Sequence, residues 1–206
     1  SDFCDISQLA QKNNIPFYKT EDINGKTSIN WIKSKIPDII FCFGWSKLLK
    51  SEVLKIPRIG VLGYHPSLLP YNRGRHPLIW AKILGLKKTG STFFFMDEGA
   101  DTGDIISQKE FEITFEDNAS TLYNKMVKLA ITQVLNFLPA LKNNSFKRIK
   151  QLEKKNYWRK RTNSDGLIDF RMDSISICNL VRALTKPYVG SHCNYTGDEI
   201  KIWEIE

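Results

Sequence analysis

The 206-residue sequence predicts an α/β fold, with a mostly parallel sheet and helices on both of its faces. Segments typical of strands alternate with segments typical of helices up to about residue 142. Residues 38–43 read Asp-Ile-Ile-Phe-Cys-Phe, which is continuously apolar after its first residue, as in a strand that is buried on both faces. Hydrophobic residues make up 42% of the chain and charged residues 25%, so a chain of this length can bury a core without disulfides.

Hydrophobic periodicity and turn residues define the individual elements. We predict helices over residues 6–13, 29–35, 48–54, 77–84 and 119–141. We predict strands over residues 15–18, 38–43, 58–62, 91–96 and 105–113, the last of which alternates like an edge or antiparallel strand. In the longest helix, apolar side chains recur at core spacing, at Leu122, Met126, Leu129, Val134 and Leu138.

The alternation of strands and helices ends near residue 142. We predict a first domain over 1–142, a basic linker over 143–164 and the start of a second module over 165–206, with a helix over 174–184 and a strand over 199–205. The net charge is +8, and the surplus lies in the cations Lys142, Lys147, Arg148, Lys150, Lys154, Lys155, Arg159, Lys160 and Arg161, opposed by Glu153. This basic strip is typical of an RNA-contacting surface or of a solvated helix end and linker.

Several classes of protein are not supported by the sequence. No apolar run has the ~18–20 residues of a membrane span, and no secretory signal opens the chain. The four cysteines are scattered and form no CxxC pair, so we expect a cytoplasmic protein without zinc or disulfides. The acidic loop after residue 96 lacks the calcium-loop pattern, and Walker A, GxGxxG and GxSxG motifs are absent, so we expect no metal site.

The loops that follow strands are the expected places for a ligand, because an open α/β sheet binds at the carboxyl ends of its strands. These loops cover residues 44–47, 63–76 and 97–104. His65 lies in the second loop and Asp101 in the third. A carboxylate beside an imidazole orients the ring and stabilises its protonated form, so the pair is a candidate for general acid/base work. A single loop histidine is also often structural.

Three motifs carry a resemblance to a known family. They are His65-Pro66-Ser67-Leu68-Leu69-Pro70 followed by Arg73-Gly74, the run from Met96 to Asp104, and the downstream Asn179–Leu184 with Pro187-Tyr188 and Gly190. In this order they resemble the 10-formyltetrahydrofolate-dependent formyltransferase family. The resemblance implies a Rossmann-like catalytic domain over 1–142, followed by a small β-rich module. Because the chain opens in a helix, we expect the family's first strand to be missing from it.

The resemblance also implies roles for individual residues, with 10-formyltetrahydrofolate as co-substrate. His65 matches the catalytic histidine, and Asp101 matches the aspartate that orients it. The loop that holds the pterin matches Asp97, Glu98, Gly99, Ala100 and Asp101. The opposite wall of the pocket matches Lys47, Leu48 and Leu49, and Arg75 matches a further folate contact.

One position departs from the family pattern. The family has an asparagine two residues before the histidine, where it donates to the oxyanion of the tetrahedral intermediate, and this chain has Gly63. Loss of one such donor typically costs ~10²–10³ in rate. We expect a substitute donor, His76 in preference to Asn72, or else a backbone amide or water. The alternative is a weak or non-catalytic relative that binds folate or a nucleotide.

The acceptor in this family is an amine. Tyr157-Trp158, Arg161 and the run from Asp165 to Asp169 resemble the sugar-nucleotide branch, which implies the amino group of a nucleotide-linked sugar. The basic strip favours the methionyl-tRNA branch instead. Hydrolysis or another amine also stays open, as does the oligomeric state, and we expect no membrane partner.

Overall fold

The computed structural model describes residues 4–45, 47–153 and 155–206. Ser46, in the predicted loop 44–47, and Lys154, in the basic strip, lie outside the described residues. The helices are α1 (Ser7–Lys12), α2 (Lys26–Ser34), α3 (Ser51–Leu54), α4 (Pro77–Ile83), α5 (Ala119–Lys142) and α6 (Ser174–Leu184). The strands are β1 (Ile39–Cys42), β2 (Gly60–His65), β3 (Arg73–Gly74), β4 (Lys88–Phe95), β5 (Ile105–Glu112), β6 (Tyr157–Trp158), β7 (Ser191–Tyr195) and β8 (Asp198–Ile202).

The predicted α/β class is confirmed, with a central sheet in the order β1-β2-β4-β5. Parallel pairing is limited to β1 and β2 among the described strands, so the sheet is less parallel than predicted. Strand β4 runs antiparallel to β2, with Thr92 beside His65, and β5 runs antiparallel to β4. The short connection from β4 to β5 contains no crossover helix, so it can only join antiparallel neighbours.

Two strand predictions need correction. Strand β1 is not buried on both faces, because Phe41 is 40% exposed and its neighbours on the strand are only partly buried. It lies at one edge of the described sheet. Residues 15–18 are not assigned to a strand. Strand β7 was not predicted, because its mixture of polar and apolar side chains has no strict alternation.

Helix α5 covers one face of the sheet. Phe137 and Leu141 on the helix pack with Leu62, Phe93 and Phe95 from β2 and β4 in one buried cluster. The predicted core positions Leu122 and Met126 are buried, whereas Leu138 is 43% exposed, because the buried stripe continues through Gln133, Phe137 and Leu141. The helix begins at an Asn118 cap whose side chain accepts hydrogen bonds from the Ser120 and Thr121 amides, each at 3.0 Å.

The segment after α5 returns to the first part of the chain. Strand β6 pairs in parallel with β3, so that Tyr157 lies beside Arg73. Further on, Val181 and Leu184 on α6 pack against Ile79 on α4. The boundaries at residues 142 and 165 stay predictions. No helix among the described residues is both long and apolar enough to cross a membrane.

Arginines of the basic strip contact the rest of the fold, whereas its described lysines are exposed. The Arg148 guanidinium lies 3.6 Å from the Phe95 ring centre and donates to the Ile59 carbonyl oxygen. Arg159 forms a bidentate ion pair with Asp165. The described lysines of the strip are exposed: Lys142, Lys147, Lys150, Lys155 and Lys160. Part of the strip therefore contributes to the fold, and the lysines leave a positive surface.

Candidate active site

His65 is the last residue of β2 and is buried, with 4% of its surface exposed. Its Nε2 atom lies 2.8 Å from the Asn72 carbonyl oxygen. Because a carbonyl oxygen can only accept, this contact requires the proton on Nε2. The other ring nitrogen, Nδ1, faces the Asp101 carboxylate, with 3.5 Å between Nδ1 and Oδ2. The structure therefore brings together the two residues predicted as the acid/base pair.

Asp101 reaches His65 through the loop that joins β4 to β5. Because β4 runs antiparallel to β2, this loop leaves the sheet near the start of β2, where the Met96 amide donates to the Val61 carbonyl oxygen at 2.7 Å. Asp101 has a left-handed backbone with φ of +57°, and its Oδ2 atom accepts a hydrogen bond from the Gly74 amide at 2.9 Å. Strand β3 thus holds the carboxylate beside His65, although the two loops do not share a carboxyl edge.

Internal hydrogen bonds shape the predicted pterin loop. The Asp97 Oδ1 atom accepts from the Gly99 amide at 3.0 Å and from the Thr102 hydroxyl. A Cβ atom at Gly99 would lie 2.1 Å from that hydroxyl oxygen, so this close turn requires glycine. Residues 97–100 are exposed, Glu98 and Ala100 among them. Their backbone groups are accessible to a ligand.

The opposite predicted wall has mixed surroundings. Leu49 is buried in a cluster against which Met96 packs, so this wall and the start of the pterin loop share one apolar layer. Leu48 is 61% exposed, and the Lys47 Nζ atom donates to the Glu21 carbonyl oxygen at 3.1 Å. The Arg75 amide donates to the Trp158 carbonyl oxygen at 3.0 Å, within the pairing of β3 with β6.

Side chains of β4 and its following residue fill the space at Gly63. A Cβ atom there would lie 2.9 Å from the Met96 Cγ atom and 3.0 Å from the Phe94 Cζ atom. Asn72 contacts His65 through its backbone carbonyl oxygen. The Asn72 backbone amide donates to the Asn156 side-chain oxygen at 2.8 Å, and the Asn72 Oδ1 atom accepts from Asn156 Nδ2 at 2.9 Å. Of the two predicted substitute donors, Asn72 is the one whose backbone contacts His65.

His76 lies at a different place. Its Nδ1 atom accepts from the Arg161 amide at 3.3 Å, and its φ is +55°. Burial lowers the pKa of His76, and the positive charges of Arg75, Arg161 and Lys160 lower this pKa further. His76 is therefore held as a neutral ring near neutral pH, with cations around it.

A cavity of about 1040 Å³ opens beside His76. Its walls are mainly apolar and aromatic, and include Trp45, Tyr64 and the exposed face of α5. Arg161 lines its polar end, and the buried Arg161 Nε atom has no hydrogen-bond partner among the described residues. The other predicted site residues do not line this cavity: His65, Asp101, Gly63, Arg75, Lys47, Leu48, Leu49, Asp97, Glu98, Gly99 and Ala100.

Sequence reasoning did not assign Arg161 to the site. The sequence does show that Asp165 is the one nearby acid for the three consecutive cations Arg159, Lys160 and Arg161. In the structure Asp165 pairs with Arg159, and the hydrogen bonds from Arg159 hold the pKa of Asp165 well below its usual range. Arg161 is among the residues that line the cavity. Among the described residues, no group of three or more His, Cys, Asp or Glu side chains could hold a metal ion.

Two curated relatives match nearly the whole chain. The Bifunctional polymyxin resistance protein ArnA of Wigglesworthia glossinidia brevipalpis is 36% identical over 203 residues, which cover 98% of this chain and 31% of that protein. The Methionyl-tRNA formyltransferase of Clostridioides difficile (strain 630) is 34% identical over 202 residues, which cover 98% of this chain and 65% of that protein. The chain thus spans about a third of one relative and just under two thirds of the other.

Solved structures share the fold. A 4-N formyltransferase from Francisella tularensis superimposes with a TM-score of 0.80 at 25% identity, covering 96% of this chain and 80% of that one. WlaRD, a sugar 3N-formyl transferase solved in the presence of dTDP and 5-N-formyl-THF, superimposes with a TM-score of 0.71 at 25% identity, covering 86% and 62%.

Family profiles match both parts of the chain. The profile described as Formyl transferase, C-terminal domain matches residues 160–206. The profile described as Formyl transferase matches residues 5–137, which is more than half of the chain, and these residues include both His65 and Asp101. The protein therefore belongs to the formyl transferase family.

Proposed function

We propose that the protein transfers a formyl group from 10-formyltetrahydrofolate to the amino group of a nucleotide-linked amino sugar. The observation that carries this proposal is the buried His65, whose Nδ1 faces the Asp101 carboxylate at 3.5 Å and whose Nε2 faces the Asn72 carbonyl oxygen at 2.8 Å. The family match supports the reaction, and WlaRD supports the folate co-substrate, since that relative was solved with a formylated tetrahydrofolate.

In this reaction a neutral amine attacks the formyl carbon, and a tetrahedral intermediate carries the former carbonyl oxygen as an oxyanion. A bond forms between the amine nitrogen and the formyl carbon, and the bond from that carbon to the folate nitrogen breaks. Once the contact of Nε2 with the Asn72 carbonyl oxygen opens and the ring proton lies on Nδ1, where it is donated to Asp101, the His65 Nε2 atom accepts the amine proton and returns it to the departing folate nitrogen. Asp101 stabilises the positive charge that the ring carries between these two transfers.

Both ring nitrogens of His65 face acceptors, so one contact opens when the substrates bind. The contact with the Asn72 carbonyl oxygen is the one that can open while His65 keeps its contact with the Asp101 carboxylate. Asn72 also carries a side-chain amide, which makes it a candidate donor to the oxyanion next to this contact. Of the candidates Asn72 and His76, we therefore place the substitute donor at Asn72.

The nucleotide part of the acceptor is supported by the polar end of the cavity. Arg161 lines that end, and its cation is the natural partner of a phosphate group. The aromatic walls at Trp45 and Tyr64 suit the stacking of a base. Cys4, Cys42, Cys178 and Cys193 are free thiols, which supports our proposal of a cytoplasmic location.

A product assay tests the reaction. The protein is mixed with 10-formyltetrahydrofolate and UDP- or dTDP-linked amino sugars, and the formamide and the released tetrahydrofolate are measured by mass spectrometry and absorbance. We expect equal amounts of both products. His65→Ala and Asp101→Asn should abolish or severely lower turnover, while binding of the folate survives. Wild-type rates in either variant, or no formamide from any amine, would contradict the proposal.

A separate variant tests whether Arg161 binds the nucleotide part of the acceptor. Arg161→Gln should raise the KM for the nucleotide-linked amine at least ~10-fold, which is the loss of about 1.4 kcal/mol of binding energy. The matched control is Arg171→Gln, because the Arg171 side chain is 91% exposed and pairs with Asp169. An unchanged KM in Arg161→Gln would remove Arg161 from the acceptor site.

Methionyl-tRNA is the second candidate acceptor. It is supported by the 34% identity to a methionyl-tRNA formyltransferase and by the exposed lysines Lys142, Lys147 and Lys150. A tRNA complex held by these lysines would weaken steeply as salt rises from about 50 to 200 mM. Formylation of methionyl-tRNA in preference to the amino sugars, together with this salt dependence, would replace the sugar-nucleotide assignment.

A further inference from the structure

Gln151 lies in the segment between α5 and β6, 50 residues beyond Asp101, and is partly buried. Its side-chain amide makes three hydrogen bonds. The Nε2 atom donates to the Asp101 carbonyl oxygen at 3.0 Å and to the Gly103 carbonyl oxygen at 2.7 Å. The Oε1 atom accepts from Arg73 Nη2 at 2.5 Å. The orientation of the amide follows from its partners, since carbonyl oxygens only accept and a guanidinium only donates.

These contacts hold both sides of one short turn. Asp101 has a left-handed backbone, which is unfavourable for most residues with a side chain and persists where surrounding contacts enforce it. The preceding residues 97–100 are exposed, and Asp97 reaches the turn through the Thr102 hydroxyl. Gln151 binds the carbonyl groups at Asp101 and Gly103 and leaves the Asp101 carboxylate free to face His65.

The third contact connects this turn to β3. Arg73 is buried, with 3% of its surface exposed, and the next residue, Gly74, donates its amide to the Asp101 carboxylate at 2.9 Å. Gln151 therefore joins the backbone of the turn to the strand that holds the carboxylate. The distance of 3.5 Å between His65 and Asp101 depends on both attachments.

We propose that Gln151 is a positioning residue, which sets the place of the Asp101 carboxylate relative to the His65 ring and so links the segment after α5 to the catalytic pair. This inference rests on the proposed function for its effect on turnover. Its effect on the His65 environment does not depend on any acceptor, so the two can be tested separately.

Two substitutions remove the donors without removing the bulk of the side chain. Gln151→Glu keeps an acceptor for Arg73 but sets carboxylate oxygens against two carbonyl oxygens, and Gln151→Met removes all three hydrogen bonds. The matched control is Gln133→Met. Gln133 is also a buried amide that donates twice, to the Ser91 carbonyl oxygen and the Ser107 hydroxyl, but it has no contact with the 97–104 loop.

The first readout is the NMR signature of the imidazole rings in protein labelled with ¹⁵N-histidine. The chain has three histidines, so His65, His76 and His192 can be assigned individually. Both Gln151 variants should shift the His65 ring resonances and leave those of His192 in place. The control Gln133→Met should lower the melting temperature without moving the His65 resonances.

The second readout is turnover with whichever amine the wild-type protein formylates. In the Gln151 variants kcat should fall by up to ~10²-fold, because a misplacement of about 1 Å has that effect on a catalytic pair, while the KM for the amine stays unchanged. If no amine is formylated, the proposed function fails and the His65 resonances still decide. Folded Gln151 variants with wild-type His65 resonances would overturn the positioning role, whatever their melting temperature.

Discussion

At the scale of single residues, Gly63 is where we expected an asparagine, and the structure shows what surrounds the glycine. The Met96 and Phe94 side chains occupy the space into which a side chain at position 63 would point. The Met96 side chain is flexible and can yield, whereas Phe94 is buried in a cluster with Leu69 and Ile105. Position 63 is therefore coupled to the packing of β4.

We predict that Gly63→Asn destabilises the protein by about 1–3 kcal/mol, the usual cost of inserting a side chain into a packed core. Met96→Ala makes room for the new side chain. The double variant Gly63→Asn with Met96→Ala should therefore lose less unfolding free energy than the sum of the losses in the two single variants. Urea unfolding of the four proteins measures this coupling. Strictly additive changes would show that Met96 does not limit position 63.

At the scale of elements, helix α5 depends on the turn that precedes it. Asp117 is 5% exposed and accepts hydrogen bonds from the Thr114 amide, the Thr121 hydroxyl and Lys125 Nζ. Burial alone would raise the pKa of Asp117, but these hydrogen bonds outweigh burial, and the pKa is lowered. The ionised carboxylate thus stabilises the folded state.

Because the pKa of Asp117 is lower in the folded state than its ordinary value of 3.8, its contribution is complete above about pH 4 and is lost as the pH falls through the folded-state value. We predict that Asp117→Asn costs about 1–3 kcal/mol at pH 7 and that the cost shrinks below pH 4. Denaturant titrations at pH 7 and pH 3 measure it. The exposed neighbour in Glu116→Gln is the control, and an equal cost at both pH values would contradict the charge argument.

At the scale of the whole molecule, one buried cluster connects the first part of the chain to the segment after residue 165. Leu184 on α6 is fully buried and packs with Ile79 on α4 and with Ile168. The β3–β6 pairing and the contacts of Gln151 and Asn156 connect the first part of the chain to residues 151–158 as well. We therefore expect the described parts of the chain to unfold together.

Leu184→Ala should lower the stability of the entire chain by about 2–5 kcal/mol, as is typical for a leucine truncated in a packed core. Ile175→Ala, which changes a side chain on the same helix that is 61% exposed, should change stability by less than about 0.5 kcal/mol. Near- and far-ultraviolet circular dichroism should show one shared transition. Two transitions, with only one moved by Leu184→Ala, would show that residues 165–206 unfold independently.

Local patterns in the sequence were sufficient for most helices and for the direction of one strand. The predicted helix over 174–184 matches α6 (Ser174–Leu184), because its apolar periodicity and its Asp173 cap are both local features. The alternation over 105–113 correctly indicated an antiparallel strand. The motifs around His65 and Asp101 predicted that these two residues form an acid/base pair, and the structure places them 3.5 Å apart.

Only the tertiary structure decided which distant residues support this pair. Gln151 contacts Asp101 across 50 residues of chain, and Asn156 contacts Asn72 beside His65 across 84, and no local spacing encodes such contacts. The antiparallel direction of β4, and the filling of the space at Gly63, likewise depend on how β2 and β4 meet. The sequence by itself determined the periodicities and the chemical groups. The packing of distant segments determined which of those groups meet, because their contacts form only once the chain has folded.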